Sequence, residues 1–450
     1  MTFKSFHITN YYHKDSGGIS TAYNALLAAA ERNRRHMRLI VPGEREEVEQ
    51  LSEFTKIYYV PARPSPFIDK RYRLIMPWQY VPTNSILRKI LLPEMPQMIE
   101  VRDKYTLSAL GFVIRINMFR RLKRPMLVNY SSERMDDNIA SFTSDGRVAK
   151  WFARRYMGNY IIPAYDFHVT NSPYTAEEYY LAAKSGNNPH RWDGFTKLSW
   201  RLMRSPRVPL EERIRISPSG VDASRFSPER KDAAARADIL AGAGVPENAV
   251  VLLYAGRISP EKNVRLLPAL MERLSAEREK EYFLLVAGGG PLADWLRQEG
   301  DTRCGGRIKL LGHLDKERLA DTYANSDIFI HPNPREPFGI GPLEAMASGL
   351  PLVAPNSGGL LSYATNENAW LSDPTAEAFA ASVIETSFHD ELRARKTAEA
   401  LKAVAANTRE KAADNLLKTY DELYEDFQRR NPLYTDRQAC KKFDYGPLIK

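Results

Sequence analysis

Two carboxylates, Glu336 and Glu344, lie in one short segment whose residue types suit the binding of a sugar and a phosphate. Pro342 is placed for the first position of a helix, so we expect Glu344 in the first turn and Glu336 in the preceding loop, both facing one edge. The free backbone N–H groups from Phe338 to Gly341 would bind phosphate. Glu344 would then hold a ribose diol and Glu336 sugar hydroxyls; alternatively, Glu344 only complements the helix dipole.

Two cations follow the predicted strand Val250–Ala255 and stand at the same sheet edge. Arg257 and Lys262 would clamp a diphosphate, the arginine through its bidentate fork and the lysine as a point charge. Such a pair stabilises the charge that builds on a phosphate leaving group without a metal ion. The alternative is a surface loop in which Glu261 pairs locally.

Glycines occur at the ends of the same predicted strands. Gly256 opens the first loop, and Gly289 and Gly290 belong to a glycine run after the next strand, where the backbone could approach a ligand closely. Such a run also marks a simple tight turn. In the first half of the chain, Gly17 and Gly18 open the first predicted helix and would cap the same diphosphate from the other domain.

The elements that position these residues alternate between strand and helix, which is typical of mainly parallel α/β sheets. We therefore predict an α/β fold with two Rossmann-like, doubly wound domains facing an interdomain cleft that holds the chemistry. The predicted strands of the first half are Phe3–Asn10, Arg38–Val41, Ile57–Val60, Met98–Val101, Met126–Tyr130 and Phe167–Thr170. Its predicted helices are Ile19–Asn33, Tyr105–Asn117, Arg147–Tyr156 and Ala176–Ala183.

The second half repeats this alternation after a linker rich in Pro, Gly and Ser at residues 217–228. Its predicted strands are Val250–Ala255, Tyr282–Ala287, Ile308–Leu311, Ile328–His331 and Leu350–Ala354, and its helices are Val264–Arg278, Leu292–Gln298, Lys316–Asn325 and one that starts at Pro342. Residues 375–430 look helical throughout. We place the domains at 1–215 and 216–408, followed at 409–450 by a helix and an irregular tail.

The composition of the 450-residue chain, with 43% hydrophobic and 26% charged residues, excludes disordered and collagen-like classes. Its two cysteines, Cys304 and Cys440, are too few for a disulfide framework or a cysteine-based zinc site, so a reducing cytoplasm fits best. The N-terminus lacks the apolar segment of a secretory signal, and no apolar run is long enough to span a membrane. Phosphate-loop, zinc-protease and serine-hydrolase motifs are absent from the sequence.

The positive charge lies in the first half: residues 1–220 carry 34 Lys and Arg against 21 Asp and Glu, and the rest carries 30 against 34. The densest segments are Arg120–Arg124, Lys150–Arg155 and Lys197–Arg207, and the last two are interleaved with Trp151, Phe152, Trp200 and Leu202. This mixture suits peripheral contact with an anionic membrane. The alternative is a solvated basic face.

Taken in order, the motifs of the second half resemble the nucleotide-sugar domain of the family-4 retaining glycosyltransferases, over about residues 214–375. The matching residues are Gly256-Arg257 with Lys262, Ala287–Pro291, Gly312, Pro332, Glu336–Gly339, Glu344–Gly349 and Gly358-Gly359. Ser219–Pro228 resembles the linker of these enzymes and Gly17-Gly18 their N-terminal glycine loop. The resemblance implies the GT-B fold, with a C-terminal helix that crosses back to the first domain.

Carried over residue by residue, the resemblance implies that Arg257 and Lys262 contact the diphosphate. It places Glu336 on the donor sugar and Glu344 on the ribose. Phe338, Gly339 and Ile340 would offer backbone donors to phosphate and sugar. The family's usual reaction is front-face transfer with retained anomeric configuration, in which the leaving phosphate oxygen assists deprotonation of the acceptor. It implies no metal ion and no cofactor.

Two segments of the first half resemble the branch that contains GDP-mannose-dependent mannosyltransferases acting on glycolipids. One contains Asp103, and the other contains Ser132, Glu133 and Arg134, so these are the candidate acceptor-side residues. Ser132 stands where the family has its active-site histidine. This departure removes a group expected near the donor sugar, so the sugar differs, another residue substitutes, or the activity is weak.

The predicted function is therefore the transfer of a hexose, with mannose favoured, from a GDP-sugar or UDP-sugar to a lipid, lipid-linked or cell-envelope polysaccharide acceptor. The predicted location is the cytoplasm, at the inner face of the cell membrane. Three alternatives remain: a nucleotide-sugar epimerase or hydrolase on the same fold, a degenerate scaffold without catalysis, and a basic protein that binds nucleic acid. No recognised nucleic-acid module is visible, so nucleic acid is not an expected partner.

Overall fold

The computed structural model describes residues 3–12, 18–65, 72–141, 143, 146–184 and 189–449. The chain divides into two compact units. Unit 1 consists of Met1–Pro218 with Ala412–Lys450, and unit 2 is Ser219–Lys411. Each unit is an α/β structure with a parallel sheet, as predicted.

Unit 1 contains an eight-stranded sheet with the order β10-β9-β8-β7-β1-β2-β4-β3, parallel except for the β3–β4 pair. A two-stranded β5–β6 hairpin lies outside it. The strands are β1 (Ser5–Thr9), β2 (Met37–Gly43), β3 (Glu47–Gln50), β4 (Thr55–Pro61), β5 (Arg63–Pro64), β6 (Arg73–Leu74), β7 (Met98–Arg102), β8 (Met126–Ser131), β9 (Phe167–Thr170) and β10 (Ile214–Ile216). Every residue of β1, β7, β8 and β9 is buried, as expected for a parallel sheet covered on both faces.

Helices cover this sheet. They are α1 (Gly18–Arg32), α2 (Ile86–Glu94), α3 (Ala109–Arg115), α4 (Met135–Ser141), α5 (Gly146–Tyr156), α6 (Pro173–Ala183), α7 (Pro189–Leu202) and α8 (Leu210–Arg213). The predicted helix Tyr105–Asn117 is shorter than expected at its start, because the Asp103 carboxylate accepts hydrogen bonds from the backbone N–H groups of Tyr105 and Leu107 and holds them in a turn. The sequence analysis did not identify β3, β10, α2, α4 or α7.

Unit 2 contains a six-stranded parallel sheet with the order β13-β12-β11-β14-β15-β16. Its strands are β11 (Val250–Ala255), β12 (Tyr282–Ala287), β13 (Ile308–Gly312), β14 (Ile328–Ile330), β15 (Leu352–Pro355) and β16 (Trp370–Ser372). Its helices are α9 (Ala233–Ala243), α10 (Leu266–Leu274), α11 (Ala293–Arg303), α12 (Lys316–Ala324), α13 (Ile340–Ala347), α14 (Ala376–Phe388) and α15 (Asp390–Ala406). This strand order is that of a Rossmann fold, so its ligand crevice is expected between β11 and β14, where the strand order reverses.

The chain ends in α16 (Arg409–Arg429), α17 (Asn431–Thr435), α18 (Arg437–Lys442) and α19 (Gly446–Ile449). The prediction of an irregular tail was wrong. Pro432 lies in the first turn of α17, where a missing N–H does no harm, and the Asp436 side chain caps α18. Buried Tyr434, Cys440 and Tyr445 hold these short helices on unit 1.

None of the described helices is both long enough and apolar enough to cross a lipid bilayer.

Candidate functional site

The predicted donor residues of unit 2 follow the two strands at which its strand order reverses. Gly256, Arg257 and Lys262 follow β11, and Glu336 follows β14. Because β11 and β14 are neighbouring parallel strands, their carboxyl ends meet at one edge of the sheet. The fold therefore brings the cations and one carboxylate to the usual ligand-binding position of a doubly wound sheet.

The glycines allow the loops after β11 and β12 to run in contact with each other. The Ile258 N–H donates to the Gly289 carbonyl over 2.9 Å. A Cβ at Gly290 would lie 2.4 Å from the Ile258 carbonyl oxygen, and a Cβ at Gly288 would lie 2.0 Å from that of Gly256. A Cβ at Gly289 would meet nothing within 4 Å. Close approach therefore requires glycine at 288 and 290 but not at 289.

An ion pair joins the loop after β11 to the loop after β14. Lys262 Nζ donates to Glu336 Oε2 over 2.8 Å, and Asn333 Nδ2 donates to the same oxygen over 3.0 Å. Burial alone would raise the pKa of Glu336, but the charge of Lys262, with hydrogen bonds from Lys262 and Asn333, lowers it to about 2. Glu336 is therefore a fixed anion, and its Oε1 accepts no hydrogen bond from the described part of the chain.

Arg257 lies in the same loop as Lys262, with an exposed side chain, and makes no ion pair or side-chain hydrogen bond to any described residue. The alternative of local pairing with Glu261 does not occur. Glu261 Oε1 accepts a hydrogen bond from Ser259 Oγ over 2.5 Å, whereas Lys262 pairs with Glu336. The described part of the chain thus leaves the donors of the Arg257 guanidinium unused.

His331 is a site residue that the sequence analysis missed. It follows β14 directly, is buried, and places Nε2 3.7 Å from Glu336 Oε2, without a hydrogen bond. Burial lowers its pKa to about 4 despite the opposing charge of Glu336, so the imidazole is neutral at pH 7. A histidine at the end of a strand is more often a core residue. In the sequence, only the position of His331 at the carboxyl end of a predicted strand indicated that it could belong to the site.

The start of α13 offers backbone donors, as the sequence suggested, but in a different register. The helix begins at Ile340 rather than Pro342, and Gly339 adopts a φ of +87° at its N-cap. Helix geometry leaves the N–H groups of Ile340 and Gly341 without intrahelical acceptors. Tyr363 fixes this turn, because its hydroxyl donates to the Gly339 carbonyl and its ring packs against the buried Phe338.

The earlier start of α13 corrects the prediction for Glu344, which is the fifth residue of the helix and not part of its first turn. A carboxylate there gains little from the helix dipole, which weakens the purely structural alternative. Tyr323 donates to Glu344 Oε2 over 3.3 Å. Burial raises the pKa of Glu344 to about 7, against the lowering effect of the Tyr323 hydrogen bond and the Arg409 charge.

The acceptor-side candidates follow β7 and β8 of unit 1. Asp103 is buried, accepts from Asn10 Nδ2 over 3.1 Å, and has its pKa raised by burial despite hydrogen bonds from Leu107 and Tyr105. Glu133 Oε2 accepts from Asn138 over 2.9 Å, and burial raises the pKa of Glu133 as well. The Ser132 side chain is half-buried.

The fourth candidate, Arg134, has its guanidinium donors bound to other side chains of unit 1. It makes a bidentate pair with Asp136 at 3.0 and 2.9 Å, a bond to Glu177 at 2.7 Å and a stacking contact with Tyr174. Arg134 therefore orders the segment around it. Of the predicted N-terminal glycine loop, Gly18 is the first residue of α1 and Gly17 lies outside the described residues.

The basic and aromatic segments of unit 1 differ in part from the prediction. Trp200 is fully buried and donates to the Gly158 carbonyl, so it cannot reach a membrane. Lys150 and Arg154 pair with Asp137 and Asp136. Apolar side chains on two neighbouring helices are nevertheless exposed: Val148, Trp151 and Phe152 on α5, and Phe195, Leu198 and Leu202 on α7.

No group of three or more His, Cys, Asp or Glu side chains close enough to hold a metal ion occurs among the residues that the structure describes.

A family match covers the part of unit 2 that contains Arg257, Lys262, Glu336 and Glu344. The family described as Glycosyl transferases group 1 matches residues 236–403. A GDP-mannose-dependent alpha-(1-6)-phosphatidylinositol dimannoside mannosyltransferase of Mycobacterium tuberculosis is 27% identical over 84% of this chain and 85% of that protein. A GDP-mannose-dependent alpha-mannosyltransferase of Corynebacterium glutamicum is 32% identical over 45% of this chain and 46% of its own.

Solved structures confirm the fold. Sucrose-phosphate synthase from Thermosynechococcus elongatus superimposes with a TM-score of 0.64 at 19% identity, covering 94% of this chain and all of the other. An Anabaena protein crystallised with UDP and glucose gives a TM-score of 0.63 at 15% identity, covering 93% of this chain and all of the other. The two Rossmann-like units are those of GT-B enzymes. The chain carries a Glycosyl transferases group 1 domain on this fold and is a glycosyltransferase.

Proposed function

We propose that the chain transfers a hexose, with mannose favoured, from a nucleotide diphosphate sugar to a membrane lipid, a lipid-linked acceptor or a cell-envelope polysaccharide, with retention of the anomeric configuration. One observation carries the proposal. Arg257, Lys262 and Glu336 lie at the switch point of the unit 2 sheet, as two cations and one carboxylate that suit a diphosphate and a sugar.

The sugar site is proposed at Glu336. Its Oε2 is committed to Lys262 and Asn333, which fix the carboxylate, and its Oε1 is available to accept a hydrogen bond from a sugar hydroxyl. An anion held by two donors needs no further reorganisation when the sugar arrives, which favours binding and orientation.

The diphosphate site is proposed between the cations and the start of α13. Arg257 would contribute unpaired guanidinium donors, and Lys262 would contribute a point charge. The start of α13 would contribute the two free backbone N–H groups of Ile340 and Gly341. These groups would stabilise the negative charge that grows on the phosphate as the glycosidic bond breaks. The departing phosphate oxygen then takes the proton of the acceptor hydroxyl on the same face of the sugar. The proposal needs no metal ion and no cofactor.

The nucleoside is proposed to reach Glu344, whose carboxylate would accept hydrogen bonds from the ribose diol. Names of relatives favour GDP-mannose, because the Mycobacterium tuberculosis and Corynebacterium glutamicum proteins are both named GDP-mannose-dependent. The Anabaena structure with UDP and glucose supports a UDP-sugar as the second candidate.

The acceptor is proposed to bind unit 1 near Asp103, Ser132, Glu133 and Arg134, and to be lipid in character. The support is the exposed apolar side chains of α5 and α7, which lie among basic residues: Phe152 is 60% exposed and Leu202 65%. An apolar and basic surface of this kind suits an anionic bilayer. We place the enzyme in the cytoplasm, at the inner face of the cell membrane.

The test is calorimetric titration of the purified protein with GDP, UDP and ADP, without added metal, in parallel with Glu344→Ala. Micromolar binding of one nucleotide that is lost in the variant would support the donor site and identify the base. Absence of binding for all three would contradict the proposal and favour a degenerate scaffold. Release of free sugar at the same rate with and without acceptor would instead favour a hydrolase.

A further inference from the structure

Four arginines of unit 1 converge on one cavity that contains none of the predicted site residues. Arg115 ends α3, Arg124 precedes β8, Arg204 follows α7 and Arg437 opens α18. With Tyr434, Thr435 and Cys440 they line a cavity of about 50 Å³. Arg124 precedes its strand, so the cavity lies at the amino-terminal edge of the unit 1 sheet. The acceptor-side candidates follow their strands and lie at the carboxyl-terminal edge.

A single buried carboxylate faces this group. Asp166, which immediately precedes β9, accepts from Arg115 and from Arg124 at 2.8 and 2.9 Å. Both Arg124 distances belong to the same nitrogen, Nη2, which donates to the two carboxylate oxygens, while Nη1 donates to the Pro125 carbonyl. Asp166 also accepts the Leu127 N–H over 2.8 Å. Two other carboxylates lie on the elements nearby but are engaged elsewhere. Asp426 pairs with Arg429, Arg430 and the Tyr434 hydroxyl, and Asp436 caps α18. Four guanidinium groups are thus set against one carboxylate.

Two of the four arginines, Arg115 and Arg124, form ion pairs with Asp166, and the other two form none with any described residue. Arg115 donates to Asp166 and to the carbonyl oxygens of Ala164, Arg204 and Tyr434. Arg204, by contrast, has one long contact of 3.4 Å with the Ile116 carbonyl. Arg437 makes no hydrogen bond or ion pair with any described residue, although it is half-buried.

This arrangement is unfavourable without an anion, because like charges are held together in a partly desolvated position. Burial lowers the pKa of Arg124 to about 10, and the charges of Arg115 and Arg437 act in the same direction against the ion pair with Asp166. Burial and the charge of Arg204 likewise lower the pKa of Arg437. A bound anion would relieve this repulsion.

The cavity and its donors define the ligand class. A single water needs about 10 to 15 Å³ of such volume, so 50 Å³ suits a tetrahedral oxyanion better than one water. Planar guanidinium forks match phosphate oxygens in geometry and charge. We propose that Arg204 and Arg437, supported by Arg115 and Arg124, bind a phosphate group at this edge of unit 1, and that the phosphate joins α18 to the end of α7.

The test is calorimetric titration of the intact protein with inorganic phosphate at constant ionic strength, in wild type and in Arg437→Gln. The Arg437 side chain makes no hydrogen bond or ion pair with a described residue that its removal would break, so this variant should fold. Arg204→Gln/Arg437→Gln is the stronger version, and Arg63→Gln/Lys89→Gln is the matched control, since both of its cations are exposed in the same unit and lie outside the three basic segments. Phosphate binding at the proposed donor site of unit 2 would be the same in all four proteins.

We expect a saturable phosphate site in wild type and in the control, weakened at least tenfold in Arg437→Gln and lost in the double variant. Equal phosphate binding in all four proteins, or no saturable binding in wild type, would overturn the proposal. Thermal unfolding gives a second measurement. Phosphate should raise the Tm of wild type more than that of Arg437→Gln, whereas equal rises would count against the site.

Two further titrations identify the source of the phosphate. Glycerol 3-phosphate represents a soluble phosphomonoester, and vesicles of phosphatidylcholine with phosphatidate represent a lipid headgroup. If the headgroup is the ligand, Arg437→Gln weakens vesicle binding and the Arg63→Gln/Lys89→Gln control does not. If Arg437→Gln weakens binding of glycerol 3-phosphate alone, the ligand is soluble. Both results support the phosphate site, whereas unchanged binding of both ligands in Arg437→Gln opposes it.

Discussion

Lys262 Nζ lies 2.8 Å from Glu336 Oε2, and this ion pair connects the loops that follow two neighbouring strands of the unit 2 sheet. The pair holds the carboxylate ionised and oriented, with its second oxygen unoccupied. Each partner therefore depends on the other, and changing either one tests whether the pair serves the donor sugar and diphosphate.

We expect Lys262→Ala and Glu336→Gln each to lower the rate of sugar transfer by about 100-fold or more, because one oxyanion-stabilising group is typically worth 10² to 10³. The measurement is steady-state transfer with the donor identified by calorimetry, together with circular dichroism to establish folding. Glu261→Gln is the matched control, since among the described residues only Ser259 donates a side-chain hydrogen bond to that neighbouring carboxylate. Full activity in both Lys262→Ala and Glu336→Gln would sink the assignment of the site.

Gly290→Ala should impair donor binding and stability, whereas Gly289→Ala should affect neither. A Cβ at 290 would lie 2.4 Å from the Ile258 carbonyl oxygen, and one at 289 would meet open space. The loops after β11 and β12 must separate to admit the methyl group, and forcing atoms into a well-packed region typically costs about 1 to 3 kcal/mol. Urea unfolding and nucleotide titration of the two variants provide the comparison. Equal behaviour of both variants would show that the close approach of these loops is unimportant.

The sequence predicted the convergence of Arg257, Lys262 and Glu336, because carboxyl ends of adjacent parallel strands share an edge whatever the details of packing. It did not predict His331, Tyr323 or Tyr363, whose roles depend on distances between side chains of separate elements. The predicted start of α13, at Pro342, was wrong for a related reason. Proline tolerates several positions in a first turn, and only the backbone conformation of Gly339 decides where the helix begins.

The tail shows a further limit of sequence reasoning. Its helices are too short for a recognisable hydrophobic period, so residues 431–449 resembled an irregular segment. Their order comes from buried anchors, Tyr434, Cys440 and Tyr445, which contact distant parts of unit 1 such as the Ser205 carbonyl. Fold class and strand order follow from local alternation, whereas tertiary anchoring of this kind does not.

Replacing exposed apolar residues of unit 1 should weaken membrane binding. Phe152→Glu/Leu202→Glu places charges on α5 and α7, and we expect loss of sedimentation with anionic vesicles. Val48→Glu, on the exposed strand β3 of the same unit, is the matched control. Binding should also fall with salt, since each basic side chain near an anionic surface contributes about 1 kcal/mol. Equal binding to neutral and anionic vesicles would contradict the proposed contact.

Glu344 should lower the stability of the free enzyme at high pH. Its folded pKa of about 7 exceeds the usual value of 4.5, so the folded state holds a proton that the unfolded state has released. The free energy of unfolding therefore falls as pH rises towards 7. Glu344→Gln should raise the free energy of unfolding by about 1 to 3 kcal/mol at pH 8, allowing for partial solvent exposure, and should change it little at pH 4.5. Urea unfolding at the two pH values measures the difference. A gain of equal size at both would point to a cause other than ionisation.

The same carboxyl should make nucleotide binding depend on pH. Ribose hydroxyls donate hydrogen bonds to the ionised form, so binding should be constant above pH 7 and weaken by up to about tenfold per pH unit below it. Glu336, with a pKa of about 2, and His331, with a pKa of about 4, do not titrate between pH 5.5 and 8.5. The terminal phosphate of the nucleotide itself titrates near pH 6. Glu344→Gln measures the pH dependence that this phosphate alone contributes. Calorimetric affinities across this range should show a steeper decline in wild type than in Glu344→Gln. Parallel profiles would place the ribose away from Glu344.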